Sequence, residues 1–173
     1  MNILITGKKD LSLKLSQLLS TDNEVMMVSI SGGYDIGNVS EWAHEFKNYD
    51  LIINCAYDNF SQISVMEEFC NMWGHNEDKK IINIGSMVTD YARSEETVDT
   101  EYFPYRVHKQ SLQLAFNKLV KKVKCDMKLI NPGPFESNMT IHLSVPMMTI
   151  NDIAINIIDI INNKLIKRVD LWK

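Results

Sequence analysis

Five short runs of apolar, β-favouring residues punctuate the chain: NILIT (2–6), EVMMVSI (24–30), LIINC (51–55), IINIG (81–85) and MKLIN (127–131). They are nearly continuous rather than alternating, which is the pattern of strands covered on both faces, and such strands belong to parallel sheets. Helical patterns lie between and after them, near residues 10–20, 40–48, 61–74, 105–124 and 150–163. Strand and helix alternating along a whole chain predict βαβ units and an α/β fold, a Rossmann-like doubly wound parallel sheet. No repeat, low-complexity tract or linker interrupts the pattern, so residues 1–173 are expected to form a single domain. At 45% hydrophobic residues the chain can bury a sizeable core.

Composition excludes several function classes. A formal net charge of -4 gives no broad positive field for nucleic acid. The one basic run, KLVKKVK (118–124), reads as the solvated face of a helix. Cys55, Cys70 and Cys125 are far apart and odd in number, without the spacing of a zinc site or redox pair, so no metal is expected. MNILITGKKD lacks the form of a signal peptide, and no apolar run is long enough to cross a bilayer. The expectation is a cytoplasmic protein acting on a small molecule, with neither nucleic acid nor membrane as partner.

In an open α/β sheet, ligands bind beyond the carboxyl ends of the strands. Those ends read Thr6-Gly7-Lys8-Lys9, Ser29-Ile30-Ser31, Asn54-Cys55-Ala56, Gly85-Ser86 and Asn131-Pro132-Gly133-Pro134. Small and hydrogen-bonding groups recur there, and they let a ligand approach the backbone. Helix boundaries are also marked: Thr149 with Asp152 resembles a capping box, Pro104 suits a first turn, and SGG (31–33) ends the second strand.

The stretch YRVHKQSLQLAFNKLV (105–120) places Tyr105, Lys109, Leu112, Phe116 and Leu119 on one helical stripe. The stripe turns polar only at its N-terminal end. A lysine cation one turn from a tyrosine favours phenolate and makes it a better proton carrier at neutral pH. Alone, the pair reads more simply as a tyrosine at the core rim beside a lysine whose stem lies along the surface.

Several motifs in a fixed order add weight to the chemical reading. TG after the first strand, NCA after a middle strand, INIGS after the next, then YRVHK and NPGP together resemble the short-chain dehydrogenase/reductase family. That resemblance spans nearly the whole chain and implies an NAD(P)-dependent oxidoreductase acting on a small carbonyl or alcohol. It implies Tyr105 as catalytic acid/base, Lys109 as the cation that lowers its pKa and holds the nicotinamide ribose, and Ser86 as hydrogen-bonding partner of the substrate oxygen. Asn59 stands at about the interval before Ser86 where the family has a water-holding asparagine. Cofactor contacts are implied for Thr6, Gly7, Lys8 and Lys9, for Asn54, Cys55 and Ala56, and for Pro132, Gly133 and Ser137. The stretch EVMMVSISGGYDIGNVSEW resembles shortened members and would put Asp35, with Ile36 beside it, near the adenine. NADP is preferred over NAD, because no acid ends the second strand and Lys8 and Lys9 can meet an extra phosphate.

Departures from the family pattern keep a second reading open, a non-catalytic nucleotide-binding or regulatory protein derived from the same fold. In TGKKDLSL, Leu11 and Leu13 replace the second and third loop glycines and are expected to push the cofactor away or re-route the loop. NCAY puts Tyr57 where the chain usually passes the cofactor. Ser86 and Tyr105 are 19 residues apart, and the insertion DYARSEETVDTEYFP (90–104) reads as a substrate loop or a displacement of the serine. Only NMTIHLSVPMM (138–148) is left for a lid. A nucleotide-sugar epimerase or reductase is a weaker third reading, since its extra substrate domain does not fit this length. The resemblance also implies a homodimer or homotetramer, through Val65, Phe69, Met72, Leu114 and Leu119 on the helices at 61–74 and 105–124.

Overall fold

The computed structural model describes residues 1–89, 103–137, 140 and 145–171. The elements run β1 (Asn2–Thr6), α1 (Asp10–Leu19), β2 (Glu24–Val28), β3 (Leu51–Asn54), α2 (Ser61–Trp73) and β4 (Lys80–Ile84), followed by α3 (Phe103–Leu119), β5 (Asp126–Pro132), α4 (Ile150–Asn162) and β6 (Arg168–Leu171). All strand pairs are parallel, in the order β2-β1-β3-β4-β5-β6. The expected Rossmann-like sheet is therefore present. After β2 the chain crosses back over β1 to form β3, so the order reverses between β1 and β3, where a crevice opens at the carboxyl ends.

Successive strand residues serve opposite cores. Ile3, Ile5, Ile53, Ile82 and Ile130 pack against Leu11 and Leu15 of α1 and Ile153 and Ile157 of α4. Leu4, Ile52, Ile81, Met127 and Leu129 face α2 and α3, meeting Val65, Phe69, Leu112 and Phe116. This double burial is why the strands read as continuous apolar runs. Val65 and Phe69 are wholly buried in that core, so neither belongs to a surface for assembly. Of the remaining residues assigned to such a surface, Leu114 is 70% exposed, and Met72 and Leu119 are half-buried.

Three stretches differ from the sequence reading. Residues 36–46 form 3-10 turns over Ile36–Glu41 and Ala43–Phe46, with Asn38 out of helical geometry, instead of a helix over 40–48. Ile36, Val39, Trp42, Ala43 and Phe46 are the buried residues there, a spacing near three that suits 3-10 geometry as well as an α-helix. Tyr34, Trp42 and Phe46 lock edge to face, with ring centroids 5.5–5.8 Å apart. Second, α3 stops at Leu119, because the chain must turn for the Lys124 N–H to donate to the Gly74 carbonyl (2.6 Å) and start β5. Lys118, Lys121, Lys122 and Lys124 of the basic run are exposed, as the solvated-face reading requires. Third, β6 was missed: its Arg and Asp alternate with half-buried Val169 and Leu171, as an edge strand allows.

The marked boundaries hold. Thr149 Oγ1 accepts from the Asp152 N–H (3.1 Å), and its hydroxyl donates to the Asp152 carboxylate (2.8 Å). Gly33, at φ +87°, closes the turn that follows β2. Among the described residues no helix is long and apolar enough to cross a membrane, and no cluster of side chains has the makings of a metal site.

Candidate active site

A cavity of about 680 Å³ opens where β1, β3, β4 and β5 end. The sharp turn after β1 supplies Gly7 and Lys8, the end of β3 supplies Cys55 and Ala56, and the end of β4 supplies Ser86. The first two turns of α3 supply Tyr105 and Lys109, and the end of β5 with the segment after it supplies Pro132, Gly133 and Ser137. Tyr105 and Ser86 line the same cavity despite the 19-residue interval, so the insertion has not carried the serine away from the tyrosine. Gly85 brings β4 close to β5 at this point, since a Cβ there would run into Asn131 Oδ1.

Lys109 is 4% exposed, and its ammonium donates to Gln62 Oε1 (2.6 Å) and the Ile84 carbonyl (3.0 Å). It lies between two aromatic rings, 5.4 Å from the centroid of Tyr105 and 5.6 Å from that of Tyr57. Burial drops its pKa to about 8, with the neighbouring Cys55 pulling the other way. Burial likewise pushes the Tyr105 hydroxyl up to about 12, against the hydrogen bond with Ser86. Contrary to expectation, Lys109 does not bring the tyrosine's pKa below its ordinary value. The ammonium sits over the ring and spends its donors elsewhere, so desolvation decides the shift.

Asn59 does not reach the site. It lies at φ +46° in the loop before α2, exposed, with its amide on the neighbouring Asp58 (3.1 Å). The polar residue that α2 sends to the site is Gln62, 2% exposed on a face otherwise filled by Val65, Met66, Phe69 and Trp73. The signal was available: a glutamine stands where helical periodicity demands an apolar residue.

Two of the expected cofactor contacts are structural instead. Thr6 is wholly buried, and its Oγ1 accepts the N–H groups of Cys55 and Ala56 (both 2.9 Å), tying β1 to the loop after β3. Asn54, also wholly buried, donates to Asn83 Oδ1 (3.0 Å) and the Gln62 carbonyl (2.8 Å). Both act behind the wall. Asp35 accepts from the Gly37 N–H (2.8 Å) and Ile36 is 4% exposed in the core, so neither lines the cavity.

The loop after β1 also differs in detail. Gly7 has φ +96°, a conformation that favours glycine, and its N–H donates to the Val28 carbonyl (2.8 Å). The next such residue is Asp10, at φ +46°, one position before the leucine assigned to the second glycine. Leu11 is buried in the core that α1 shares with α4 and also lines the cavity, whereas Leu13 is 44% exposed and is not among the lining residues. Ser12 fills the tight place between helix and strand, its Oγ 3.1 Å from where a Gly7 Cβ would stand. The residue that changes the loop's chemistry is Asp10, whose carboxylate lines the cavity at the N-terminus of α1.

Further side chains complete the wall. Tyr57, as expected from its place in NCAY, stands in the cavity with its ring edge against Tyr105 (4.8 Å), and its hydroxyl is hydrogen-bonded to His108 Nδ1 (2.8 Å). Lys8 Nζ lies 3.1 Å from the Cβ position of Gly32, beside Ser29 and Ser31, whose hydroxyls are 3.0 Å apart. The Ser137 hydroxyl is hydrogen-bonded to Thr140 (3.0 Å). Residues 90–102 of the insertion and 138, 139 and 141–144 of the short lid lie outside the described residues.

A short chain dehydrogenase from Burkholderia cenocepacia, solved with NADP, superposes with a TM-score of 0.76 over 99% of this chain and 88% of its own, at 15% identity. A short-chain dehydrogenase/reductase from Vibrio parahaemolyticus gives 0.72 over 98% of each chain, also at 15% identity. The fold is that of the short-chain dehydrogenases/reductases. A GDP-L-fucose synthetase from Naegleria fowleri, bound to NADP, gives 0.75 at 11% identity, over 98% of this chain and 76% of that one. Searches with the sequence match no family model and no curated protein.

Proposed function

We propose that this protein is an NAD(P)-dependent oxidoreductase that interconverts a small carbonyl compound and its alcohol, with NADP(H) preferred. The observation that carries this reading is the meeting of Ser86, Tyr105 and Lys109 on one cavity wall at the carboxyl ends of the strands. The residues present suit a dinucleotide. The tight turn at Gly7 leaves room for a pyrophosphate to approach the backbone, and Lys8, held beside Ser29 and Ser31, suits an adenosine ribose that bears a phosphate. The structures from Burkholderia cenocepacia and Naegleria fowleri hold NADP, which supports the same choice.

When bound, the dinucleotide supplies or accepts the hydride. The protein supplies the proton. A hydroxyl held near 12 is a phenol at neutral pH, ready to donate to a carbonyl oxygen as that oxygen gains negative charge. Ser86, which lines the same cavity as Tyr105, orients the same oxygen. The Lys109 ammonium, cationic below about 8, stands 5.4 Å from the centroid of the Tyr105 ring.

The non-catalytic reading rests on two observations, the Asp10 carboxylate where a pyrophosphate needs positive potential and the Tyr57 ring beside Lys109. NADPH oxidation assayed against a panel of aldehydes and ketones separates the two. Turnover in the parent that is lost in Tyr105→Phe supports the enzyme. Binding of NADPH with no turnover against any carbonyl supports the regulatory protein.

A further inference from the structure

We infer that Gln62 is the positioning residue for Lys109: its amide oxygen fixes where the lysine's ammonium stands between Tyr105 and Tyr57, a task not shared with Asn59. The inference deepens the oxidoreductase reading and rests on it for its catalytic meaning. The orientation of the Gln62 amide is unambiguous. Its Nε2 donates to two backbone carbonyls, Asn54 (3.0 Å) at the end of β3 and Ile84 (3.1 Å) at the end of β4. Both acceptors lie on the sheet, so the amide nitrogen must face them and Oε1 must face away. Lys109 takes that oxygen at 2.6 Å.

The support behind Gln62 is rigid. Asn54 Nδ2 donates to the Gln62 carbonyl (2.8 Å) and to Asn83 Oδ1 (3.0 Å) on the adjacent strand, where Asn54 and Asn83 are in register. The first turn of α2 is thereby fastened to β3 and β4 by side chain and backbone together. Lys109 approaches from α3, on the far side, and two of its three N–H donors are spent on Gln62 and Ile84. Gln62 is neutral, so it holds the ammonium without the charge that a carboxylate would add. An uncharged acceptor in a dry site leaves the lysine easy to deprotonate, in keeping with its lowered pKa.

Two variants separate positioning from mere packing. Gln62→Met keeps length and removes the acceptor; Gln62→Glu keeps an acceptor and adds a charge. The primary readout is the titration of Lys109 itself, followed in the apoprotein by its ¹³Cε resonance after selective lysine labelling, assigned with Lys109→Arg. The midpoint falls by roughly one pH unit in Gln62→Met and rises by roughly one or more in Gln62→Glu. In NADPH-dependent reduction, Gln62→Met loses about ten-fold in kcat at neutral pH with little change in KM for the carbonyl, and Gln62→Glu moves the alkaline limb of the pH profile upward. Midpoints unmoved in both variants overturn the inference, even if both melt earlier than the parent. If Gln62→Met does not fold, the direction of the Gln62→Glu shift decides alone. Shifted midpoints in a protein that never oxidises NADPH leave the positioning standing and defeat the oxidoreductase reading; unmoved midpoints in an active protein do the reverse.

Discussion

Replacing Lys109 with methionine has a stability effect whose pH dependence follows from the site. The lysine's pKa stands at about 8 in the folded protein, against the 10.5 of an ordinary solvated lysine. Between those values the unfolded chain holds a proton that the native protein has released, so native stability rises with pH across that window. Below it the buried charge costs the parent about 3 kcal/mol, the difference in pKa times ~1.4 kcal/mol per unit. Lys109→Met removes that cost and, with it, the pH dependence. Subtracting the variant's unfolding free energy from the parent's cancels the other titrating groups. The difference should climb in the parent's favour by about 2 kcal/mol from pH ~7 to pH ~9.5, before Tyr105 begins to ionise. Urea unfolding of both proteins in a series of buffers measures it. A difference that is flat or falling over that range would refute the argument that Lys109 is a desolvated cation.

Three further changes test individual groups. Tyr105→Phe should abolish turnover while holding the Kd for NADPH within about two-fold, because the phenol acts only when a proton moves. Calorimetry with steady-state kinetics checks both halves. Lys8→Glu should erase the preference for NADPH over NADH, whereas Lys9→Glu should retain most of it, since it is Lys8 whose ammonium reaches Gly32; paired titrations decide. Asp10→Gly should tighten NADPH by about ten-fold, by removing a carboxylate from a helix N-terminus and relieving a positive φ. Unchanged affinity would show that the carboxylate does not face the phosphates.

The sheet was legible because strands buried on both faces cannot hide their composition. β6 was not, because an edge strand four residues long alternates like a loop. Residues 36–46 misled because apolar residues three and four apart satisfy 3-10 turns and an α-helix alike. In the site, Ser86, Tyr105 and Lys109 were readable from strand ends and a helical stripe. Asn59 was placed by counting back along the chain, and counting is blind to the rotation of α2, which turns Gln62 inward. The loop glycines were assigned by alignment of letters, while the backbone puts its left-handed residue at Asp10. The tuning of Tyr105 was misjudged for a different reason. Proximity of Lys109 follows from helical spacing, but the direction of its N–H groups depends on Gln62 and Ile84, which other elements bring.

Isothermal titration of the purified protein with NADPH and, separately, NADH tests whether the cavity at the carboxyl ends of the strands takes a phosphorylated nicotinamide dinucleotide. The expected result is a single site per chain with NADPH bound at least about ten-fold tighter, a preference lost in Lys8→Glu. No heat of binding with either dinucleotide at about millimolar concentration would contradict it.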